Sequence, residues 1–395
     1  MRSAFTVLTA IILTGTLFAA DWPNWRGPNH DGISPETGMK TDWATNPPVV
    51  WESKIGSAFS GISCVGDRLY TCGTKNKQQT LFCLNADTGE VIWEFAIEPE
   101  YRDGQGGDGT RGTPTIDGDR VYVQGGLGRL VCCNAETGKL FWDKRYAAKP
   151  QWGYSGSVLI EGKLGLLIGG NADGPLVAFD KMTGEQLWKL GGEPVGYSTP
   201  LPFSLDGKRY IAAFLGNKMH VADLATGREV WSLAWETSWN VNAATPIFHD
   251  GYLFFSSGYK HGSILVKLAP DGHKLKSETV WEGKAIRAKF QTPVLYKGCL
   301  YDSDETGLHC IEFMTGSEKW SKRKMTHGTL VIAEGTIFLL TEDGHLQIAP
   351  ATPDAYNPTT DVAILDGRCW TVPTLHRGRL YARNLEKIVC VNLMP

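Results

Sequence analysis

The sequence has no basic excess. Its 39 Lys and Arg stand against 42 Asp and Glu, and nowhere do the cations gather into a stripe. That argues against nucleic acid, whose binding rests on neutralising phosphates. After the first twenty residues no apolar run approaches the ~18 residues a membrane-spanning helix needs, so the mature chain is expected to be soluble. There is no Cys-x-x-Cys and no His cluster with zinc-ligand spacing. No Ser/His/Asp or Cys/His order stands out for nucleophilic catalysis either.

What is present begins with a targeting pattern. Arg2 is a short basic start, Ala4 to Phe18 is largely apolar, and Ala19 and Ala20 are small. Residues 1–20 therefore read as a cleaved secretory signal, with Phe18 an imperfect fit to the cleavage site. No Cys lies near it, so a lipid-modified N-terminus is not expected, and the mature protein is placed in the periplasm or outside the cell. The 46 Gly and 14 Trp, many turns and many large anchors, point to an all-β protein.

The dominant feature is internal repetition. LFCLNADTGEVIW (81–93), LVCCNAETGKLFW (130–142), LVAFDKMTGEQLW (176–188), MHVADLATGREVW (219–231) and LHCIEFMTGSEKW (308–320) share one template, with Trp always four residues after Gly. Weaker copies begin at residues 264, 346 and 388, giving eight units spaced 38 to 49 residues apart. Each template reads as an alternating strand, an Asn/Asp-capped turn with Gly at positive φ, and a returning strand carrying Trp. Upstream of each lies a second hairpin, for example TPTIDGDRVYVQG (113–125). Four antiparallel strands per unit at this period predict an eight-bladed β-propeller over residues 47–395. The last unit stops one strand short at Pro395. VVWESKIG (49–56) supplies the missing Trp-bearing strand, since Trp51 precedes Trp93 by one period. The N-terminal strand is therefore expected to complete the C-terminal blade and leave no open edge.

The template resembles the pyrroloquinoline-quinone (PQQ) type of propeller repeat, L-x-A-x-D-x-x-T-G-x-x-x-W. The resemblance spans residues 47–395. It implies the propeller fold and is shared by quinoprotein alcohol dehydrogenases and by non-catalytic BamB-like members, so it does not decide function. The opening DWPNWRGPNHDG (21–32) resembles the D-W-P-x-W-R-G-P-x-x-D-G lead-in of secreted bacterial members of this class. Residues 21–46 are expected to form an extended clasp, with Trp22 and Trp25 anchored on the propeller. The alternative puts Trp25, Arg26 and His30 at the mouth of a binding face.

Four of the nine cysteines, Cys83, Cys132, Cys310 and Cys390, occupy the small core-facing position of the template and read as buried hydrophobes. Cys132-Cys133 matches the adjacent-cysteine disulfide of the quinoprotein dehydrogenases in type. It lies inside a strand, though, which would turn the two side chains to opposite faces. Cys72 with Cys83, or Cys299 with Cys310, are the pairs a disulfide could join.

The loops before each first strand should open on one face around the channel. They bring Arg111, Trp152, Tyr154, Tyr197, Trp239, Asn242, Lys289, Gln291, His327, Arg368 and Trp370 to a rim. Aromatic, cationic and amide groups around a concavity suit a planar or anionic ligand. Arg111, Lys289 and Arg368 stand out as exposed anchors the repeat does not require. A PQQ enzyme would also need a calcium site and a carboxylate base. For these the rim offers only Asn240 and Asn242 with Glu236 nearby, and Asp103 and Asp108 in a Gly-rich loop. The expectation is a secreted or periplasmic binding or scaffold protein without cofactor or metal, holding a protein, small-molecule or glycan partner on the channel face. The alternative is a small PQQ-dependent oxidoreductase using PQQ with Ca²⁺. A carbohydrate-active propeller is a third possibility.

Overall fold

The computed structural model describes residues 20–43, 45–323, 325 and 327–395. All but the last residue of the expected signal segment thus lies outside the described part. Eight sheets form the propeller, seven of four strands and one of five. Blade 1 comprises Ser63–Val65, Arg68–Lys75, Gln78–Asn85 and Val91–Pro99. Blades 2 to 8 start at Thr115–Asp117, Leu159–Glu161, Leu201–Leu205, Ile247–His249, Val294–Tyr296, Gly328–Ala333 and Thr374–His376. These first strands converge on the axis, where those of blades 8, 1, 2 and 3 touch in succession. The strand Val49–Lys54 pairs antiparallel with Lys387–Asn392, with Trp51 opposite Cys390, and completes blade 8.

The conserved spacing of the template now has a cause in packing. Each Asn or Asp accepts the amides of its own turn, as Asn85 Oδ1 does from Asp87 and Thr88 at 2.8 and 2.9 Å. The turn glycine then lies flat beneath the indole of the preceding blade. A Cβ on Gly138 would stand 2.6 Å from the Trp93 ring, and one on Gly184 2.6 Å from Trp142. At several joints the indole N–H also reaches a carbonyl of the next blade: Trp51 to Ala86, Trp93 to Ala135, Trp142 to Lys181. Nearer the axis, hydroxyls tie the first strands together. Ser63 Oγ donates to Pro114 O at 2.7 Å, Thr115 Oγ1 to Val158 O at 2.6 Å, and Thr374 Oγ1 to Ile62 O at 2.8 Å.

All nine cysteines are free and buried. Cys132 belongs to the apolar cluster between blades 2 and 3, and Cys133 to the one between blades 1 and 2. Strand alternation separates them as expected.

The lead-in is more than an outer clasp. Trp22 forms a bridge with Cys64 on the first strand of blade 1, and Pro23 O accepts from Ile116 N of blade 2. Trp25 Nε1 donates to Thr245 Oγ1 at the start of blade 5. Arg26 donates to Thr292 O and Pro293 O of blade 6. Ile33–Ser34 then adds a parallel fifth strand on the inner edge of blade 7. Glu36 finally accepts the amides of Arg377 and Gly378 in blade 8. One short segment thus crosses the channel and touches six blades. Two constraints shape it. Gly27, at φ 78°, lies against Trp22, whose ring would be 2.6 Å from an added Cβ. The buried Arg26 guanidinium also donates to His30 O and Asp31 O, and burial pulls its pKa down to about 10. Residues 40–46 continue to the outer edge, where Lys40 N donates to Leu393 O and Trp43 N to Thr360 Oγ1.

Beside this plug, Asp302 is 1% exposed, and neither of its carboxyl oxygens has a hydrogen-bond partner among the described residues. Burial, reinforced by the charge of Asp304, raises its pKa to about 8 against the opposing pull of His309 and Arg26.

Two outcomes are expected. Trp51→Ala removes a ring that fills a joint and an indole hydrogen bond. It should lower the single melting transition of the whole ring, at a cost of about 3–5 kcal/mol. Fraying at the N-terminus with an unchanged main transition would contradict the closure. Asp302 holds its proton in the folded state after the unfolded chain has lost it. Its contribution to stability is therefore complete below about pH 4 and is lost as pH rises towards 8. Asp302→Asn should raise the denaturation midpoint at pH 8 and leave it nearly unchanged at pH 4. A uniform shift across that range would refute the assignment.

Candidate functional site

The loops that precede the first strands, together with the turns between second and third strands, open on one face. There they surround a pocket of about 360 Å³ at the channel mouth. Five of the residues singled out in the sequence line it: Arg111, Trp152, Tyr197, Lys289 and Trp370. Trp370 is the centre of one aromatic wall. Its ring stacks on Phe59 at 5.2 Å and lies 4.8 Å from Phe290. Its indole N–H is held by Glu342 at 2.8 Å. Trp152 and Tyr197 form a second wall, edge to face at 5.8 Å.

The remaining six residues are placed differently. Tyr154 is buried at 1% exposure, and its hydroxyl accepts from Ala148 N and donates to Gly170 O. Asn242 is fully buried, and its amide donates to Leu215 O, Gly216 O and Trp235 O. Gln291 is 3% exposed and does not line the pocket. His327 sits behind Phe290, with its ring 5.9 Å away and Nδ1 3.1 Å from Asp304 O. Trp239 is 66% exposed and belongs with Asn240 to a separate recess of about 210 Å³. Arg368 lies against Trp370 and donates to Gly106 O.

The three cations expected as exposed anchors have partners. Arg111 and Asp103 form an ion pair at 2.7 Å, with side chains only 12% and 8% exposed. The guanidinium also donates to Gly107 O and Gly109 O and lies over the Tyr101 ring. It therefore holds the Gly-rich loop in place, and truncating it would release that loop. Lys289 Nζ lies 3.7 Å from Glu305 and 4.9 Å from the Tyr259 ring centre. The Gly-rich loop spans part of the mouth, since Gln105 accepts the Trp152 indole N–H and Gly106 meets Arg368.

Three further residues line the pocket: Trp25, which the sequence placed at a binding mouth only as the alternative, and Tyr259 and Phe290, which it did not single out. Trp25 reaches the pocket from the lead-in, on the side towards the channel. Tyr259 comes from the turn between second and third strands of blade 5, which opens on the same face as the loops searched. Phe290 is adjacent to Lys289 inside a loop already singled out. The turn SSGYKHG (256–262) carried a signal of its own, an aromatic and a cation between glycines.

The residues present do not fit a calcium-bound quinone. Among the described lining residues the one carboxylate is Asp103, neutralised by Arg111. Asn242 has committed its amide to three carbonyls, and Asn240 lies in the other recess. The several free oxygens a Ca²⁺ ion demands do not meet at the mouth.

Comparison with known proteins places the chain. Residues 77–322 match the family model described as outer membrane protein assembly factor BamB. Proteins of that name from Shewanella oneidensis and Burkholderia pseudomallei are 25% and 26% identical, the matches covering 79% and 46% of this chain. They cover 76% of the Shewanella protein but only 44% of the Burkholderia one. A polyvinylalcohol dehydrogenase from a Sphingopyxis species is 28% identical over 42% of this chain and 26% of its own length. The crystal structure of BamB from Moraxella catarrhalis superposes with a TM-score of 0.64 at 16% identity, covering 87% of this chain and 99% of that one. With a match across well over half its length, this chain belongs to the outer membrane protein assembly factor BamB family of propellers.

Proposed function

We propose that the protein is a secreted or periplasmic propeller that binds a partner at the channel mouth and serves as a scaffold, without chemistry of its own. One observation carries the reading. The pocket is deep, aromatic and built from most of the blades, yet its lining carboxylate is consumed by an ion pair. A general base needs an oxygen free to meet the substrate's proton, and both Asp103 oxygens are occupied, Oδ2 by the Arg111 guanidinium and Oδ1 by the Gln105 amide. The same pair leaves a calcium-assisted oxidation without its ligands. The assembly-factor relatives support a scaffold role, and the dehydrogenase relative supports the competing one.

A titration separates the two. Purified protein is mixed with PQQ and Ca²⁺, its absorption spectrum is recorded, and ethanol is then offered with an artificial electron-accepting dye. The spectrum should equal the sum of its parts, and no alcohol-dependent dye reduction should follow. A saturable spectral change accompanied by turnover would make the protein a quinoprotein dehydrogenase and end the scaffold reading.

A further inference from the structure

We propose that the channel-mouth pocket is a carbohydrate site, taking neutral pyranose rings of an oligosaccharide on a floor made by Trp25 of the lead-in. The proposal rests on the reading of this pocket as a binding site and names what it binds.

The first argument is charge. Of the cations that line the pocket, Arg111 is paired with Asp103 and Lys289 faces Glu305, while Arg368 is not part of the lining. The pocket therefore offers no uncompensated cation. An anionic ligand would have to compete with carboxylates already in place, whereas a neutral ligand meets no such cost.

The second argument is the shape of the apolar surface. Trp25 lies on the channel side, the Trp370 cluster forms one wall and the Trp152–Tyr197 pair another. Aromatic faces are electronegative and attract C–H bonds that point at them. A pyranose presents such C–H bonds on a face and its hydroxyls around the edge. A purely aliphatic ligand would match the walls and leave the polar groups between them unused.

Those polar groups are the third argument. Ser157 Oγ accepts from Thr113 N at 2.9 Å, and Thr199 Oγ1 accepts from Ser157 N at 3.0 Å. Both residues are more than nine-tenths buried and both line the pocket. Neither hydroxyl proton has an acceptor among the described residues. A hydroxyl is a donor as well as an acceptor, so each retains a hydrogen bond to give. Sugar hydroxyls are neutral acceptors of the matching kind. The volume of about 360 Å³ lies in the ordinary range for small-ligand sites.

Two features show that the surface is built. Tyr259 is set on the rim by a hairpin turn closed by the His261 N–H donating to Gly258 O, in which it and Lys260 take the positive φ that such turns require. Trp25 is fixed by its indole bond to Thr245, and its neighbour Arg26 is anchored on four carbonyls. The floor is thus rigid before any ligand arrives.

The test uses the full mature chain. Cellotriose, maltotriose, xylotriose, mannotriose and chitotriose are titrated by calorimetry, with naphthalene-2-carboxylate as a planar anionic comparator. At least one trisaccharide should bind saturably and more tightly than the naphthoate. Trp25→Ala should weaken that binding tenfold or more, and Trp25→Phe should restore much of it. Because Trp25 is partly buried, Tyr259→Ala is made in parallel. It should weaken the same sugar with an unchanged melting temperature. The proposal is overturned if no trisaccharide binds, or if binding survives both alanine variants. Tighter binding of naphthoate, weakened by Lys289→Met, also overturns it, while leaving the pocket a binding site. Turnover with PQQ would instead remove the reading beneath it, so the two failures are distinguishable.

Discussion

The joint between blades is the constraint on which the molecule depends. A large indole on one blade lies on a glycine of the next and gives its N–H to a carbonyl beside it. Both partners are demanding. Any side chain on the glycine would collide with the ring, and a smaller residue than Trp would leave a void. Because the same joint recurs around the ring, Trp51 resting on Gly89 makes blade 8 and blade 1 neighbours like any others. This contact, with the Thr374 hydroxyl bond to Ile62 nearer the axis, joins blade 8 to blade 1 and turns the arc into a closed ring, which is what gives the loops a common face.

The face is useful only because the channel beneath it is filled. An open channel would give any ligand a passage rather than a floor. The lead-in fills it, and its buried Arg26 guanidinium donates to the carbonyls of His30, Asp31, Thr292 and Pro293. Asp302, close by, has no such partner among the described residues. It is tolerated as a carboxyl that keeps its proton.

Much of this was legible in the residues. Strand order, blade number, ring closure through Trp51 and the opposite orientation of Cys132 and Cys133 all follow from period and alternation, which are local properties of a repeat. The site was legible only in part, for reasons equally physical. Whether Arg111 is free or bound depends on Asp103, eight residues away in an irregular loop that no period governs. Asn242 looked like a rim amide, but its N–H groups are spent on the carbonyls of Trp235, seven residues back, and of Leu215 and Gly216 on the preceding blade. Trp25 could be placed at a binding mouth only as an alternative, because its position is set by blades 5 and 6, more than two hundred residues along the chain. Template positions report the scaffold; positions outside the template report the site only once the scaffold brings them together.

The route of the lead-in also imposes an order of events. Residues 21–36 cross the ring, while the strand that closes the ring, Val49–Lys54, follows after a connection of twelve residues on its outside. The closing partner, Lys387–Asn392, lies more than three hundred residues further along the chain. The blades must therefore assemble around a segment already waiting at their centre, and neither end of the chain finds its place until both are present. Contacts of such sequence separation form slowly, since their entropy is lost before they stabilise anything. The molecule behaves less like a stack of independent repeats than like a barrel hoop locked over its bung: the last piece fitted is what traps the first.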